Sequence, residues 1–298
     1  MIIAEPRRDP GEQAGGGPTA LRIMLGAELR RLREDSGLSR EAAGERIRGS
    51  ESKISRLELG KVSFKRRDIA DLLAAYGLAD EADPRRAALL ALAARANRPG
   101  WWHRYSDVLP HWFQTYVGLE QDAELIRAYE VQFVPGLLQT RDYARAVARL
   151  GHPGAGDVEI ERRVDVRMAR QRVLSGDDGP RLWAVMDEAA LCRPLGGRAV
   201  MRAQLRRLIE ACSLPDVTLQ VVPFAHGGHA AAGGAFSILR FAEDEMPDIV
   251  YLEQLTSALY MDKASDVERY LAVMERLCAD ADPAARTAAT IERVLAEM

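Results

Sequence analysis

Cysteine is scarce in this chain. There are three, Cys192, Cys212 and Cys278, far apart and without a CxxC. An odd, scattered set argues against a disulfide framework and against a cysteine-based zinc site, and it fits reduced thiols in a cytoplasmic protein. Long apolar runs are also missing. The longest candidate, ALLALAARA, is half of the roughly 18 residues that a membrane-spanning helix needs. The opening segment MIIAEPRRDPGEQAGGGPTA does not have the basic-then-apolar order of a secretion signal, and residues 1–20 read as a disordered tail. No GxSxG, GxxxxGK(S/T) or GxGxxG occurs, and no Ser, Cys or Lys stands in a recognisable nucleophile setting. These absences count against an enzyme and imply no cofactor.

What is present is enough for real cores. At 298 residues, 47% hydrophobic and 29% charged, the chain is long for one compact domain and comfortable for two. The net charge of −3 hides an asymmetry. Residues 1–100 hold 19 Lys and Arg against 15 Asp and Glu, leaving 22 against 29 in the rest. A basic first third on an acidic remainder suits a nucleic-acid-reading head joined to a regulatory body.

From Leu21 to Leu78 the apolar residues repeat with helical spacing, and turn signals fall between the runs. The spacing predicts a first helix through LGAELRRLREDS with Leu25, Leu29 and Leu32 inward, ending at Gly37 as a left-handed cap. A second helix begins at the N-cap Ser39 and turns Ala43 and Ile47 inward. After a short turn at Arg48 and Gly49, Ser50 caps a third helix that stops at Gly60, and RRDIADLLAAYGL forms a fourth. Two helices joined by a tight turn, the second short and capped, are the helix-turn-helix outline. In the third helix Ile54 and Leu57 are expected to pack against Ile47 and Ala43. Glu51, Ser52, Ser55 and Arg56 are expected on the opposite face, a mixed set of donors and acceptors that can match major-groove base edges. Lys53, Lys61, Lys65, Arg66 and Arg67 flank that face, as solvated charges or as phosphate contacts.

Residues 25–78 resemble the lambda-repressor-like helix-turn-helix family of the xenobiotic-response-element type. The resemblance rests on Arg33, on Gly37-Leu38-Ser39, and on Ile54-Ser55-Arg56-Leu57-Glu58-Leu59-Gly60-Lys61. It implies that Arg33 pairs with Glu58, that Arg40 holds a phosphate, and that Glu51, Ser52 and Arg56 read bases. Arg33 itself also counts as a phosphate candidate. One position departs from the pattern: Arg48 stands where many members carry the turn glycine.

Residues 80–100, with PRRAALLALAARAN, read as a helical linker between a DNA-binding domain over 21–79 and a larger domain over 101–298. The segment WWHRYSDVLPHWF gathers Trp101, Trp102 and Trp112, which can line a ligand or partner surface but more readily fill a core seam. Strands are expected at ELIRAYEV, RLWAVMDE, VTLQVVPF, AFSILRF and DIVYLEQL. Helices are expected at RDYARAVARL, VEIERRVDVRMARQRVL, RAVMRAQLRRLIEAC, ASDVERYLAVMERLCA and the C-terminal ARTAATIERVLAEM. The fold class is therefore a mainly helical head followed by an α+β domain with a mixed or antiparallel sheet, not a doubly wound one. In AHGGHAAAGG, His226 and His229 have no local Cys, Asp or Glu to complete a metal site, so a Gly-rich hairpin loop is expected and no metal. Asp187 and Glu188, adjacent at a strand end, point to opposite faces, and Glu188 suits a helix start.

FVPGLLQTRDYARA, RPLGGRAVMRAQLRRL, VVPF with the Gly-rich loop and AFSILRF, and IVYLEQLTSALY together resemble the C-terminal domain of many actinobacterial regulators. That family is described as antitoxin-like or developmental, and its genes often sit beside one for a small partner protein. The combined expectation is a cytoplasmic regulator of transcription, a homodimer on a double-stranded DNA operator. The alternatives are an antitoxin-like module that sequesters a small protein partner, or a small-molecule sensor.

Overall fold

The computed structural model describes residues 17–176, 179–243 and 246–298. It divides after Gly100 into two compact units.

The first unit is helical: α1 (Pro18–Asp35), α2 (Arg40–Arg46), α3 (Glu51–Glu58), α4 (Arg66–Ala75) and α5 (Pro84–Ala96). Helix α1 starts earlier than the periodicity suggested. Proline, pre-set in φ, occupies its first turn, and Thr19, Ala20 and Leu21 are already buried. Residues 18–20 thus belong to the helix, while 1–16 lie outside the described residues. Ser39 and Ser50 cap α2 and α3, each hydroxyl accepting a backbone N–H from the first turn. One core holds Leu25, Leu29, Leu32, Ala43, Ile47, Ile54, Leu57, Ile69, Leu72 and Leu73, together with Leu89, Ala93 and Ala96 of α5. Residues 84–96 are therefore part of this domain's core and not a linker. Two polar clamps fix α5 there. Asn97 accepts from Phe64 N at 2.9 Å and donates to Phe64 O at 2.6 Å, while Arg86 donates to the carbonyls of Leu78 and Ala70.

The second unit is built on a six-stranded mixed sheet, so the α+β class and the mixed sheet are as the sequence implied. Its strands are β1 (Leu125–Glu130), β2 (Arg181–Asp187), β3 (Val217–Val222), β4 (Phe236–Arg240), β5 (Ile249–Glu253) and β6 (Ala258–Met261), in the order β3-β2-β1-β4-β5-β6. Strands β1, β2 and β3 run parallel, joined through α7 (Arg141–Gly151), α8 (Asp157–Arg170), α9 (Ala189–Cys192) and α10 (Arg198–Ala211). The pairs β1–β4, β4–β5 and β5–β6 are antiparallel. Helix α6 (His111–Asp122) precedes β1, and α11 (Ala264–Asp280) and α12 (Ala284–Glu297) end the chain. The backbone of β3 away from β2 does not stay bare. Leu219 O accepts from the Thr287 hydroxyl, Val221 O accepts from Asp282 N, and the Gln220 amide bonds the carbonyls of Cys278 and Asp282.

The segment VPGLLQT is a hydrogen-bonded hub. Tyr143 OH accepts from Val134 N, and Gln139 donates to Val134 O and accepts from Arg167. Gln171 donates to the carbonyls of Gly136 and Gln139, while Gln204 bridges Thr140 N and Leu138 O. This segment, with a single 3-10 turn over Gly136–Leu138, is thereby tied to α7, α8 and α10, and these bonds satisfy much of its backbone. Beside it the buried pair Arg170–Glu120 is bidentate, at 2.7 and 2.8 Å, and Arg170 lies over the rings of Phe113 and Tyr116. Glu130, at the end of β1, has no such partner among the described residues. Burial, then the neighbouring Glu253 charge, push its carboxyl up to about 7, against the opposing pull of Arg167 and Arg170.

A carboxyl whose folded pKa lies above its unfolded one stabilises the folded state below the unfolded value and loses that contribution as pH rises through the folded value. The urea midpoint of the second unit, followed by tryptophan emission, is expected to fall between about pH 4.5 and pH 7, and Glu130→Gln to flatten that slope. An unchanged slope in the variant would move the titration elsewhere.

Candidate nucleic-acid interface

The carboxylate of Glu58, the last residue of α3, organises the first unit. Its side chain is 2% exposed. Arg33 Nε of α1 donates to one oxygen, and Arg33 Nη2 and Arg40 Nε reach the other at 3.3 and 2.9 Å. Arg33 Nη1 also donates to Leu38 O at 2.8 Å, which closes the α1–α2 turn. One buried anion thus fixes three helices. A carboxylate at a helix C-terminus opposes the helix dipole, and the two guanidinium groups offset that cost. Arg33 is itself raised above the ordinary arginine value, first by its hydrogen bond to Glu58. Tyr76 is pushed up to about 12 by burial and by the same carboxylate.

Backbone approach is equally tight. A Cβ on Gly26 of α1 would stand 2.6 Å from Glu58 O, and one on Gly44 of α2 would stand 2.9 Å from Gly49 O. At the turn between α2 and α3 Arg48 takes φ +50°, the left-handed conformation that a glycine would hold without strain. The turn therefore keeps its geometry with an arginine in it.

With Ile54, Leu57 and Glu58 turned into the core, α3 leaves Glu51, Ser52 and Arg56 exposed and Ser55 partly so. Arg56 Nε rests on Ser52 O at 3.3 Å, so the guanidinium lies along the outer face. Three of the sequence candidates for phosphate contact are engaged by protein instead. Arg33 is buried on Glu58, which removes it from any phosphate role. Lys53 Nζ is 2.6 Å from Asp68 of α4, and Arg40, one-third exposed, shares Glu58. The carboxylates of Glu58 and Asp68 compete for these cations, and spacing alone cannot show that competition. Lys61 and Lys65 are exposed, as are Arg46, Arg48 and Arg66, and among the described residues none of the five has an acidic partner. Arg46 was not singled out by the sequence and Arg48 only as a turn residue, although a basic pair beside the turn glycine was visible in GERIRGS.

The other candidates fall in the second unit. Trp102 is 1% exposed, in a core cluster with Val108, Leu109, Val117 and Val166, so it presents no ligand or partner surface. Trp101 packs against that cluster and donates to Gln121, and Trp112 O accepts from Tyr260 OH. Glu188 stands at the N-cap position of α9 without a side-chain cap bond, Asp187 accepting from Ala189 N instead, and the Glu188 carboxylate accepts from Phe224 N and Arg293. The loop with His226 and His229 is not a hairpin, because β3 and β4 are not neighbours; it passes over the ends of β2 and β1. His226 lies 3.5 Å from Asp280 and His229 lies 3.5 Å from Asp187. Among the described residues no group of three or more His, Cys, Asp and Glu side chains is placed to hold a metal ion, and no helix is long and apolar enough to cross a membrane.

Capped α2 and α3, the tight turn and the exposed outer face of α3 define a helix-turn-helix protein, a DNA-binding class. Residues 24–96 match the family described as a helix-turn-helix domain. Residues 113–293 match the family described as a domain of unknown function (DUF5753), and the chain belongs to that family. No curated protein and no solved structure matches the chain.

Glu58→Ala would take the buried carboxylate away from Arg33, leaving it only Leu38 O and the exposed Glu34 carboxylate, and is expected to cost the first unit about 3–5 kcal/mol. Arg48→Gly should stabilise it by about 0.5–1 kcal/mol by relieving the left-handed arginine. All four tryptophans lie beyond residue 100, so helix loss by far-UV circular dichroism without a change in tryptophan emission isolates this unit.

Proposed function

We propose that the chain is a sequence-specific transcriptional regulator that lays α3 in the major groove of a double-stranded operator. The observation that carries this reading is the division of α3. Its apolar residues and Glu58 are used up in the core, and Glu51, Ser52 and Arg56 stand exposed beside a set of cations that, among the described residues, have no acidic partner. In this reading Arg56 grips a guanine edge through two bonds, Glu51 accepts from a cytosine amine, and Ser52 and Ser55 serve either. Lys61 and Lys65, with Arg46, Arg48 and Arg66, contact phosphates, and Arg40 contributes only at the margin because Glu58 holds it. The protein binds as a cytoplasmic homodimer, with two copies of α3 in successive grooves about 34–36 Å apart. It works by binding, not by catalysis.

A second reading, capture of a small protein partner by the larger domain, draws support from the β5–β6 hairpin. Leu255 at its tip is fully exposed, and Leu259 on β6 is more than half exposed. The same hairpin serves equally as the dimer surface in the first reading, and sedimentation of Leu259→Glu, alone and with the neighbouring gene's product, separates the two.

Binding to the protein's own promoter tests the main reading. Arg56→Ala should lose about 1–3 kcal/mol of discrimination at one base step, roughly 5- to 150-fold in affinity, with little change on unrelated DNA. Lys61→Ala should weaken all sequences about equally and lower the salt slope by about one. The reverse pattern would exchange the two roles, and no binding by wild type would end the proposal.

A further inference from the structure

The loop over 223–235 leaves β3 at one edge of the sheet and enters β4 on the far side of β1, so it crosses the carboxyl ends of β2 and β1. Its middle is fastened there. His229 Nδ1 accepts from Ala231 N at 3.3 Å, which leaves the ring proton on Nε2. That nitrogen faces Tyr129 OH at 2.8 Å, at the end of β1, and the Asp187 carboxylate at 3.5 Å, at the end of β2. Ala231 is buried against the same core as Tyr129 and Phe236. The second half of the loop, Ala230 to Gly234, is thereby held as one wall of a half-open cleft of about 240 Å³. Phe236, Leu252, Tyr270 and Val273 supply the apolar surface, and Arg269 of α11 stands at its wall. Among the described residues this guanidinium has neither an ion pair nor a hydrogen bond.

Three features coincide at this cleft. It lies beneath the loop that crosses the carboxyl ends of β2 and β1, between that loop, the antiparallel strands β4 and β5, and α11. It is mostly apolar with one exposed arginine at its rim, a composition that suits a small-molecule site. Its loop wall is rich in glycine and alanine, so backbone N–H groups can approach a ligand closely. We propose that the cleft binds a small organic anion with an aromatic or aliphatic body. Arg269 meets the anionic head, the apolar residues take the body, and the His229 catch holds the loop in place. A volume under the roughly 300–1,000 Å³ typical of drug-sized ligands selects a compact molecule. The site is independent of the DNA-reading role, and Arg56 variants leave it untouched.

Fluorescence titration of the full chain with anilinonaphthalene sulfonate, and with its uncharged relative N-phenylnaphthylamine, tests this. One saturable site per chain is expected for the sulfonate. Arg269→Gln should weaken the sulfonate by about fivefold or more and the neutral dye by less than about twofold, the difference that a charge-assisted contact makes. Val273→Trp, which fills the cleft, should abolish both. Gly233→Phe on the loop replaces it if the far-UV spectrum shows that Val273→Trp fails to fold. His229→Ala should weaken both dyes by a similar factor through release of the loop. Equal losses for the two dyes in Arg269→Gln overturn the anion assignment. Unchanged binding in the cleft-filling variant overturns the site, as does non-saturable binding, which would place the dye on exposed patches such as Leu255 and Leu259.

Discussion

The first domain depends on one shared charge. Glu58 ends α3 inside the bundle, and its carboxylate is held by Arg33 from α1 and Arg40 from α2. A buried carboxylate without partners is costly, so the helices are constrained to positions that bring both guanidinium groups to it. Gly26 then allows the backbones of α1 and α3 to touch, and Lys53–Asp68 ties α3 to α4. The outer face of α3 is thus fixed in direction by interactions on its inner face. Such fixing matters for recognition, because base-edge hydrogen bonds discriminate only when the side chains reach them in a defined register.

The second domain uses polar side chains in a comparable way. Two arginines of α8 are committed inward, Arg167 to Gln139 of the VPGLLQT loop and Arg170 to Glu120. Apart from one 3-10 turn over Gly136–Leu138 the loop makes few backbone bonds of its own, so side-chain amides satisfy its carbonyls, and Gln139, Gln171 and Gln204 do so. That requirement explains why its polar residues are buried while the sheet around them is apolar. The same sheet turns from parallel to antiparallel at β1. The connection that makes the change, 223–235, must cross two strand ends to do it.

Much of this was legible in the residues. Helices α2, α3 and α4 announce themselves through serine caps, apolar spacing and the terminating glycines Gly60 and Gly77, all of them local signals. Five of the six strands follow from β-branched and aromatic runs; β6, a four-residue run ending a hairpin, is too short to carry a pattern of its own. The exposed set on α3 was equally readable, since a short amphipathic helix has only one polar face to offer. The role of α5 was not. An alanine-rich helix looks the same as a linker or as a core element, and only Asn97 and Arg86 clamping the loops at Phe64 and Leu78 distinguish the two.

Local chemistry, then, set the helices, their caps, most of the strands and the polar face of α3, because each rests on residues within one or two turns of one another. Partner choice for two of the charges was decided only by the folded chain. The Arg33–Glu58 pair was already implied by the family resemblance, but Arg40 and Lys53 read as phosphate cations until packing gives each an acidic neighbour 18 and 15 residues away. The strand order was likewise settled in three dimensions, because β-pairing joins segments a hundred residues apart and leaves no periodic mark in either. Tyr129, Asp187 and His229 meet for that reason alone.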